Sequence, residues 1–79
     1  MSRKHTAMDI DWSRKFGYRL KRLIHIKGMT QGQVARELGV TEATLSGYIT
    51  GTHLPNVQIA AKLAYVLDVN IDKLFDESF

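Results

Sequence analysis

The sequence predicts an all-α fold, a compact bundle of five short helices, and three observations support this prediction. Apolar residues recur at i, i+3, i+4 and i+7 in separate segments, which is the spacing of one buried helix face. Three of the glycines, Gly28, Gly39 and Gly51, and the only proline fall between those segments, where helices must end. No segment alternates apolar and polar residues as a half-buried strand does.

Size and composition limit the architecture to one domain. A chain of 79 residues has room for a small core, which is marginally stable unless a binding partner stabilises it. Residues 1–10 show no periodicity and are predicted to form a flexible N-terminal arm, and residues 11–79 are predicted to form the domain. The absence of cysteine excludes disulfides and thiolate metal sites and fits a reducing cytoplasm. No apolar run approaches the roughly 20 residues of a membrane helix, and no signal-peptide pattern is present.

The first helix is predicted over about residues 11–27. Its apolar residues keep to one face at i, i+4, i+8, i+11 and i+12. Gly28 is predicted to end this helix, because glycine adopts a left-handed backbone conformation with little steric cost. The residues predicted to be buried are Trp12, Phe16, Leu20, Leu23 and Ile24.

The second helix is predicted over residues 31–38. Thr30 and Gln33 have the T-x-x-Q spacing of a capping box, which satisfies two backbone N–H groups at a helix start. Gly39 follows the last apolar residue, where a left-handed turn costs glycine less than any residue with a Cβ. The residues predicted to face the next helix are Val34, Ala35 and Leu38.

A third helix is predicted over residues 42–50, capped by Thr41 at its start and by Gly51 at its end. Val40 is predicted to fill the corner between the second and third helices. Two short helices that pack at a steep angle across such a glycine-containing turn form a helix-turn-helix. The residues predicted to face the second helix are Leu45, Tyr48 and Ile49.

Two further helices are predicted after Pro55, which cannot continue a helix from the preceding one. Asn56 is predicted to cap the fourth helix, and Asn70 is predicted to cap a short fifth helix. The fourth helix has a buried stripe at i, i+3, i+4 and i+7, made by Ala60, Leu63, Ala64 and Leu67. The apolar residues of the fifth helix are Ile71, Leu74 and Phe75.

The order of these signals along residues 16–75 resembles the Cro and phage-repressor type of helix-turn-helix protein, the xenobiotic response element (XRE) family. The resemblance implies a lambda-repressor-like fold and a sequence-specific regulator of transcription that binds double-stranded DNA, usually a repressor and usually a homodimer. It also implies a cytoplasmic protein of a prokaryotic cell or a phage. The positions that jointly carry the resemblance are Gly28, Thr30, Gln31, Ala35, Gly39, Val40, Ser46, Gly51, Pro55, Leu63, Ala64 and Leu67.

The third helix is the candidate recognition helix of this motif. Recognition helices place their N-terminal residues against base edges in the major groove. Its outward positions contain no arginine, lysine, asparagine or glutamine, which departs from many relatives and leaves few bidentate base contacts. Gly47 reflects either close approach of the helix backbone to DNA or simple tolerance of glycine. The predicted base contacts are Glu42, Ala43, Thr44, Ser46 and Gly47.

Phosphate contacts are expected from basic and from neutral side chains. Residues 1–30 carry eight basic and two acidic side chains, whereas the last twenty residues carry two basic and four acidic ones. The alternative explanation of the basic residues is that they form a solvated helix face. The N-terminal arm, with Arg3 and Lys4, either reaches around the duplex or has no function. Polar residues near helix starts can add neutral hydrogen bonds, and the resemblance implies that Gln31 contacts the DNA backbone. The predicted phosphate contacts are Gln31, Gln33, Thr50, Thr52 and Asn56, with Lys15, Arg19 and Arg22 on the first helix.

The C-terminal segment is predicted to form a dimer surface, because its apolar residues exceed what a short helix can bury on its own domain. The alternative is that these residues only cap the core of one monomer. The predicted dimerisation residues are Ile71, Leu74, Phe75 and Phe79.

Other functions find less support in the residues. The histidines at positions 5, 25 and 53 are scattered and have no acidic residue at ligand spacing, so no metal or cofactor is expected. No nucleophile elbow and no phosphate-binding loop is present, so an enzyme is not expected. The alternative function is a protein-interaction module on the same fold, or an antitoxin-like regulator that binds both a second protein and DNA.

Overall fold

The computed structural model describes the backbone of residues 7–75 and the side chains of residues 13–75. This part of the chain forms four α-helices followed by a 3-10 helix. The all-α prediction is therefore confirmed, with the correction that the fifth helix is a 3-10 helix. The elements are α1 (Ala7–Ile26), α2 (Gln31–Leu38), α3 (Glu42–Thr50), α4 (Val57–Val66) and the 3-10 helix (Ile71–Phe75).

The start of α1 differs from the prediction. The helix begins at Ala7 instead of near residue 11, so residues 7–10 belong to the helix and not to an arm. Alanine and methionine, at positions 7 and 8, have high helix propensity, which extends the helix although no apolar period marks this turn. Residues 1–6 lie outside the described residues, and the arm stays a prediction for them.

The predicted capping signals of α2 and α3 are confirmed. Thr30 Oγ1 accepts a hydrogen bond from Gln33 N at 3.1 Å, and Gln33 Oε1 accepts one from Thr30 N at 2.9 Å. Gly39 and Gly51 both have a φ of 83°, the left-handed conformation that ends a helix. Because these groups satisfy backbone atoms that a helix end leaves without an intrahelical partner, both helices have the predicted bounds.

A tight turn leads from α4 into the 3-10 helix. Asp68 has a φ of 56°, a conformation that aspartate tolerates better than most residues with a Cβ. Lys73 N then donates to Asn70 O at 2.9 Å, which is the i to i+3 spacing of a 3-10 helix. A segment of five residues has room for little more than one turn, and the tighter form fits it.

One hydrophobic core joins all four α-helices and the 3-10 helix. The predicted stripes of α1, α2 and α4 face it, while the side chain of Trp12 lies outside the described residues. Val40 and Ile49 are partly buried and pack against this core. The buried core residues are Phe16, Leu20, Leu23, Ile24, Val34, Ala35, Leu38, Leu45, Tyr48, Leu63, Ala64, Leu67 and Leu74.

The crossing of α1 and α3 depends on Gly17. A Cβ at this position would lie 2.7 Å from the carbonyl carbon of Ile49 and 2.9 Å from the carbonyl oxygen of Tyr48. Both neighbours are backbone atoms, which cannot rotate away as a side chain can. Gly17 therefore allows the backbones of α1 and α3 to touch, and this contact sets the position of α3 on the domain.

Arg19 joins α1 to the 3-10 helix. Its side chain is only 3% exposed, and its Nε donates a 2.8 Å hydrogen bond to the carbonyl oxygen of Leu74. Its Nη2 is buried without a hydrogen-bond partner in the described part of the chain. The ring of Phe75 stacks on Phe16, with centroids 5.7 Å apart. A charge-assisted hydrogen bond and an aromatic contact thus hold the 3-10 helix against α1.

Candidate nucleic-acid interface

The face of α3 that points away from the core carries small side chains. Leu45 and Tyr48 are buried, so the opposite side of the helix faces solvent. Ala43 is exposed on that side, while Ser46 and Gly47 are half-buried. The side chains that α3 itself contributes to this surface at positions 43, 46 and 47 are therefore neutral and small.

Glu42 turns from this face toward α2. A Cβ at Gly32, in the first turn of α2, would lie 3.2 Å from Glu42 Oε2, so the carboxylate lies against that turn. A negative charge is favourable beside the free N–H groups of a helix start. The same N–H groups are the ones a phosphate at this helix start would use.

Thr44 is hydrogen-bonded to Thr41, the N-cap residue of α3. Its backbone N donates to Thr41 Oγ1 at 3.0 Å, and the Thr41 hydroxyl donates to Thr44 Oγ1 at 2.9 Å. Thr44 can therefore offer its own hydroxyl proton and its methyl group, both held in a fixed position by the cap.

His53 lies over Gly47, and the sequence pattern does not reveal this contact. A Cβ at Gly47 would lie 2.6 Å from His53 Nε2 and 3.0 Å from Nδ1, so the imidazole fills the space that a side chain at position 47 would need. The ring also makes an edge-to-face contact with Tyr48, with centroids 5.2 Å apart. The sequence feature that could indicate this contact is a mid-helix glycine followed within a few residues by a loop histidine. That combination is too common to predict the contact by itself.

The neutral residues predicted to bind phosphate are exposed, and several share their polar groups with the fold. Gln33 Oε1 is used in the capping box, and Asn56 Oδ1 accepts from Ile59 N at 2.8 Å. Each amide keeps its NH₂ group for a phosphate oxygen. Thr50 and Thr52 share a hydrogen bond at 2.9 Å between their hydroxyl oxygens, just beyond the end of α3.

A family model described as helix-turn-helix, HTH_3, matches residues 19–74, which is most of the chain. The chain belongs to the HTH_3 helix-turn-helix family. The predicted XRE-type resemblance is confirmed, and DNA-binding regulation is the activity that membership of this family supports. A comparison with curated proteins gives no match.

Solved structures with the same fold include three bacterial proteins. C.AhdI, a restriction-modification controller protein from Aeromonas hydrophila, is 30% identical with a TM-score of 0.76, over 89% of this chain and 100% of C.AhdI. An HTH_3 family transcriptional regulator from Vibrio cholerae is 24% identical with a TM-score of 0.77, over 85% of this chain but 38% of that regulator. The hypothetical transcription factor NHTF from Neisseria is 18% identical with a TM-score of 0.78, over 96% and 87% of the two chains. The last two likenesses show the fold alone.

Of the three basic α1 residues predicted to contact phosphate, the structure buries Arg19 and leaves Lys15 and Arg22 exposed. Arg19 is buried against Leu74 and is removed from the candidate phosphate contacts. Residues two apart on a helix point about 200° apart, so Lys15 and Arg19 lie across α1 from Gly17, where α3 packs. Lys15 and Arg22 are exposed on the side of α1 that carries Arg19 and the 3-10 helix, away from α3.

Arg14 is a basic residue beside α3 that sequence spacing does not single out. Its side chain is exposed, and its backbone N lies 3.3 Å from the Cβ position of Gly51, the residue that ends α3. Thr50 and Thr52 flank Gly51. Arg14 therefore belongs to the same edge of the HTH_3 domain as these two threonines.

The predicted dimerisation residues divide into different environments. Leu74 is 0% exposed inside its own core, so it cannot contact a second copy. Ile71 and Phe75 are 38% and 40% exposed, and Phe79 lies outside the described residues. Tyr65 on α4 is 87% exposed and lines a groove between α4 and the 3-10 helix, which makes it a further apolar surface residue on this side.

None of the described helices has the length and the apolar character required to cross a membrane. Within the same residues, no group of histidine, aspartate and glutamate side chains is placed to hold a metal ion.

Proposed function

We propose that this protein is a sequence-specific transcriptional regulator, a repressor, that binds double-stranded DNA in the cytoplasm with α3 in the major groove. The observation that carries the proposal is the exposed neutral face of α3 within an HTH_3 domain. C.AhdI is a restriction-modification controller protein, and the similarity to it supports a controller role for this chain.

Base recognition is assigned to the outward side chains of α3. The methyl groups of Ala43 and Thr44 suit contact with a thymine methyl, and the Thr44 and Ser46 hydroxyls can donate or accept. Glu42 can accept from a cytosine amino group only after it leaves Gly32. Gly47 contributes no side chain, and the imidazole of His53 occupies the space beside it.

Phosphate binding is assigned mainly to neutral donors. No lysine or arginine occurs between Arg36 and Lys62, so backbone N–H groups at helix starts and neutral side chains must supply most contacts. Arg14 adds one charge at the end of α3. The neutral donors are Gln31, Gln33, Thr50, Thr52 and Asn56. Because few cations are displaced, we expect a log-log salt slope clearly smaller than that of a protein with about 6 to 10 phosphate contacts.

A two-fold homodimer is proposed through the side of the domain that carries the 3-10 helix. Ile71, Phe75 and Tyr65 supply exposed apolar surface there, and Phe79 is retained as a proposed contact. A two-fold dimer reads an inverted repeat with half-site centres about 34 Å apart.

A protein-interaction module is the second candidate function, with an antitoxin-like regulator as the form that also binds DNA. Two observations favour it: α3 has no basic residue, and Val57 and Tyr65 on α4 are 82% and 87% exposed. Contact with a second protein would remove these two side chains from water.

Selection of sequences from a random duplex library by the purified protein separates these functions. A regulator enriches an inverted repeat, and the binding of that repeat then yields the salt slope. A protein that enriches no sequence and loses all DNA binding at physiological salt is an interaction module.

A further inference from the structure

We propose that His53 is a specificity-determining residue of the recognition surface, and that position 47 is glycine to make room for its imidazole. This inference rests on the proposed function, because it requires α3 to enter the major groove. It assigns to a loop residue the side-chain nitrogen donor that the outward face of α3 lacks.

The imidazole is held in place on α3 from two directions. The backbone N atoms of Thr52 and His53 approach Gly47 O at 2.9 Å and 3.4 Å, which fixes the loop against the helix. The ring packs edge-to-face on Tyr48 and covers Gly47. A side chain positioned by its own loop and by an aromatic contact loses little freedom when it binds, which favours selective recognition.

The ring lies beside the side chains proposed to meet the bases. Thr44 and Gly47 are at i and i+3, so they are neighbours on the surface of α3, and the imidazole covers Gly47. None of the outward residues of α3 has a side-chain nitrogen donor. The imidazole is exposed and can supply one.

The chemistry of an imidazole N–H suits a purine. The major groove presents the N7 atoms of guanine and adenine as acceptors, and a ring N–H can donate to N7 without leaving the plane of the base. His53 is therefore assigned to a purine N7 in each half-site. This contact does not repeat the thymine-methyl and hydroxyl contacts of Ala43 and Thr44.

Gly47 and His53 form a single unit in this assignment. An alanine at position 47 would place its Cβ 2.6 Å from His53 Nε2, so the ring would have to leave its place on α3. Gly47→Ala and His53→Ala should consequently have the same effect on base preference. The double variant should lose no more than either single variant, since both remove one interaction.

The test uses the base preferences of the wild-type chain and the variants, measured by duplex selection and then by binding to single base-pair substitutions. His53→Ala should abolish the preference at one purine per half-site, a change of about 2- to 10-fold as expected for one hydrogen bond, and bind random DNA as before. His25→Ala is the matched control, because His25 is exposed in the last turn of α1, far from the contact between Gly17 and α3. It should keep every preference.

Replacement of single purines by their 7-deaza analogues tests the proposed atom directly. One 7-deaza purine per half-site should weaken the wild-type complex and have no further effect on His53→Ala. Even if His53→Ala fails to fold, a wild-type complex that tolerates every 7-deaza purine overturns the assignment.

Three results separate the possible failures. Unchanged base preferences in His53→Ala, with a wild type that enriches a sequence, overturn the role of His53 and leave the proposed function intact. A wild-type complex that is insensitive to every 7-deaza purine does the same. A wild type that enriches no sequence overturns the proposed function, and the assignment of His53 falls with it.

Discussion

Gly17→Ala tests the packing that positions α3. Two physical effects predict opposite signs for the change that it causes in the free energy of unfolding. Glycine in a helix interior is less favourable than alanine by roughly 0.5–1 kcal/mol, so the substitution would stabilise α1 if there were space. The structure has none, since the added Cβ would lie 2.7 Å and 2.9 Å from backbone atoms of α3. Ordinary carbon contacts need about 3.5 Å, so α1 and α3 would have to separate by roughly 1 Å along their crossing.

The magnitude follows from these two terms. Overpacking costs about 1–3 kcal/mol, and a clash with backbone belongs near the upper end because no side chain can rotate away. With the helix-propensity gain subtracted, we expect a net loss of about 2 kcal/mol in the free energy of unfolding. For a domain of this size that corresponds to a fall in Tm of about 8–16 °C.

The assay is thermal unfolding followed by circular dichroism, with urea unfolding to confirm an unchanged m-value. Gly32→Ala is the matched control, because a Cβ there meets only the flexible side chains of Glu42 and Thr30. It should leave stability unchanged or raise it slightly. A Gly17→Ala variant as stable as the wild type, or more stable, would falsify the close backbone crossing of α1 and α3.

Other predictions concern single side chains. Arg19→Ala should lower the free energy of unfolding by about 1–3 kcal/mol in urea unfolding, because the buried Leu74 carbonyl loses its donor; weaker DNA binding by a fully folded variant would contradict the burial of Arg19. Arg14→Ala should weaken binding to all DNA sequences and lower the log-log salt slope by about 1, whereas Lys15→Ala should do neither. Equal salt slopes for the two variants in filter binding would show that Arg14 does not contact the DNA. Glu42→Gln should strengthen binding to every sequence by roughly 3- to 10-fold at low salt, because it removes a carboxylate from the start of α2; tighter binding confined to one sequence would indicate a base contact instead. Ile71→Lys should raise the dimer dissociation constant at least about tenfold in sedimentation equilibrium, because it places a charge in the proposed interface. A wild-type protein that is monomeric at high concentration, with and without DNA, would contradict the proposed dimer.

The capping and turn chemistry could be predicted because each signal acts within a few residues. The capping box of Thr30 and Gln33 and the left-handed turns at Gly39 and Gly51 involve only neighbours in the chain. The end of the fold was harder to predict, since a five-residue segment has no helical period long enough to separate an α-helix from a 3-10 helix. The start of α1 likewise has no apolar period to mark it.

The structure corrects two members of the predicted site, Arg19 and Leu74, because both side chains are buried. Spacing places Lys15, Arg19 and Arg22 on one face of a helix, but it does not say which face meets α3 and which meets the 3-10 helix. From the sequence, Arg19 is expected to be a solvent-exposed cation. In the structure its Nε donates a hydrogen bond to the carbonyl oxygen of Leu74, 55 residues further along the chain. Leu74 looks like a dimer contact until it is found in the core.

By itself the sequence determined the family and the bounds of α2 and α3, because periodicity, caps and left-handed glycines are local chemistry. Only the tertiary structure decided that α1 and α3 cross at Gly17 and that His53 covers Gly47. It also decided that the carboxylate of Glu42, the first residue of α3, lies against the first turn of α2. These contacts join separate helices and loops, and their geometry depends on packing angles that no local pattern encodes.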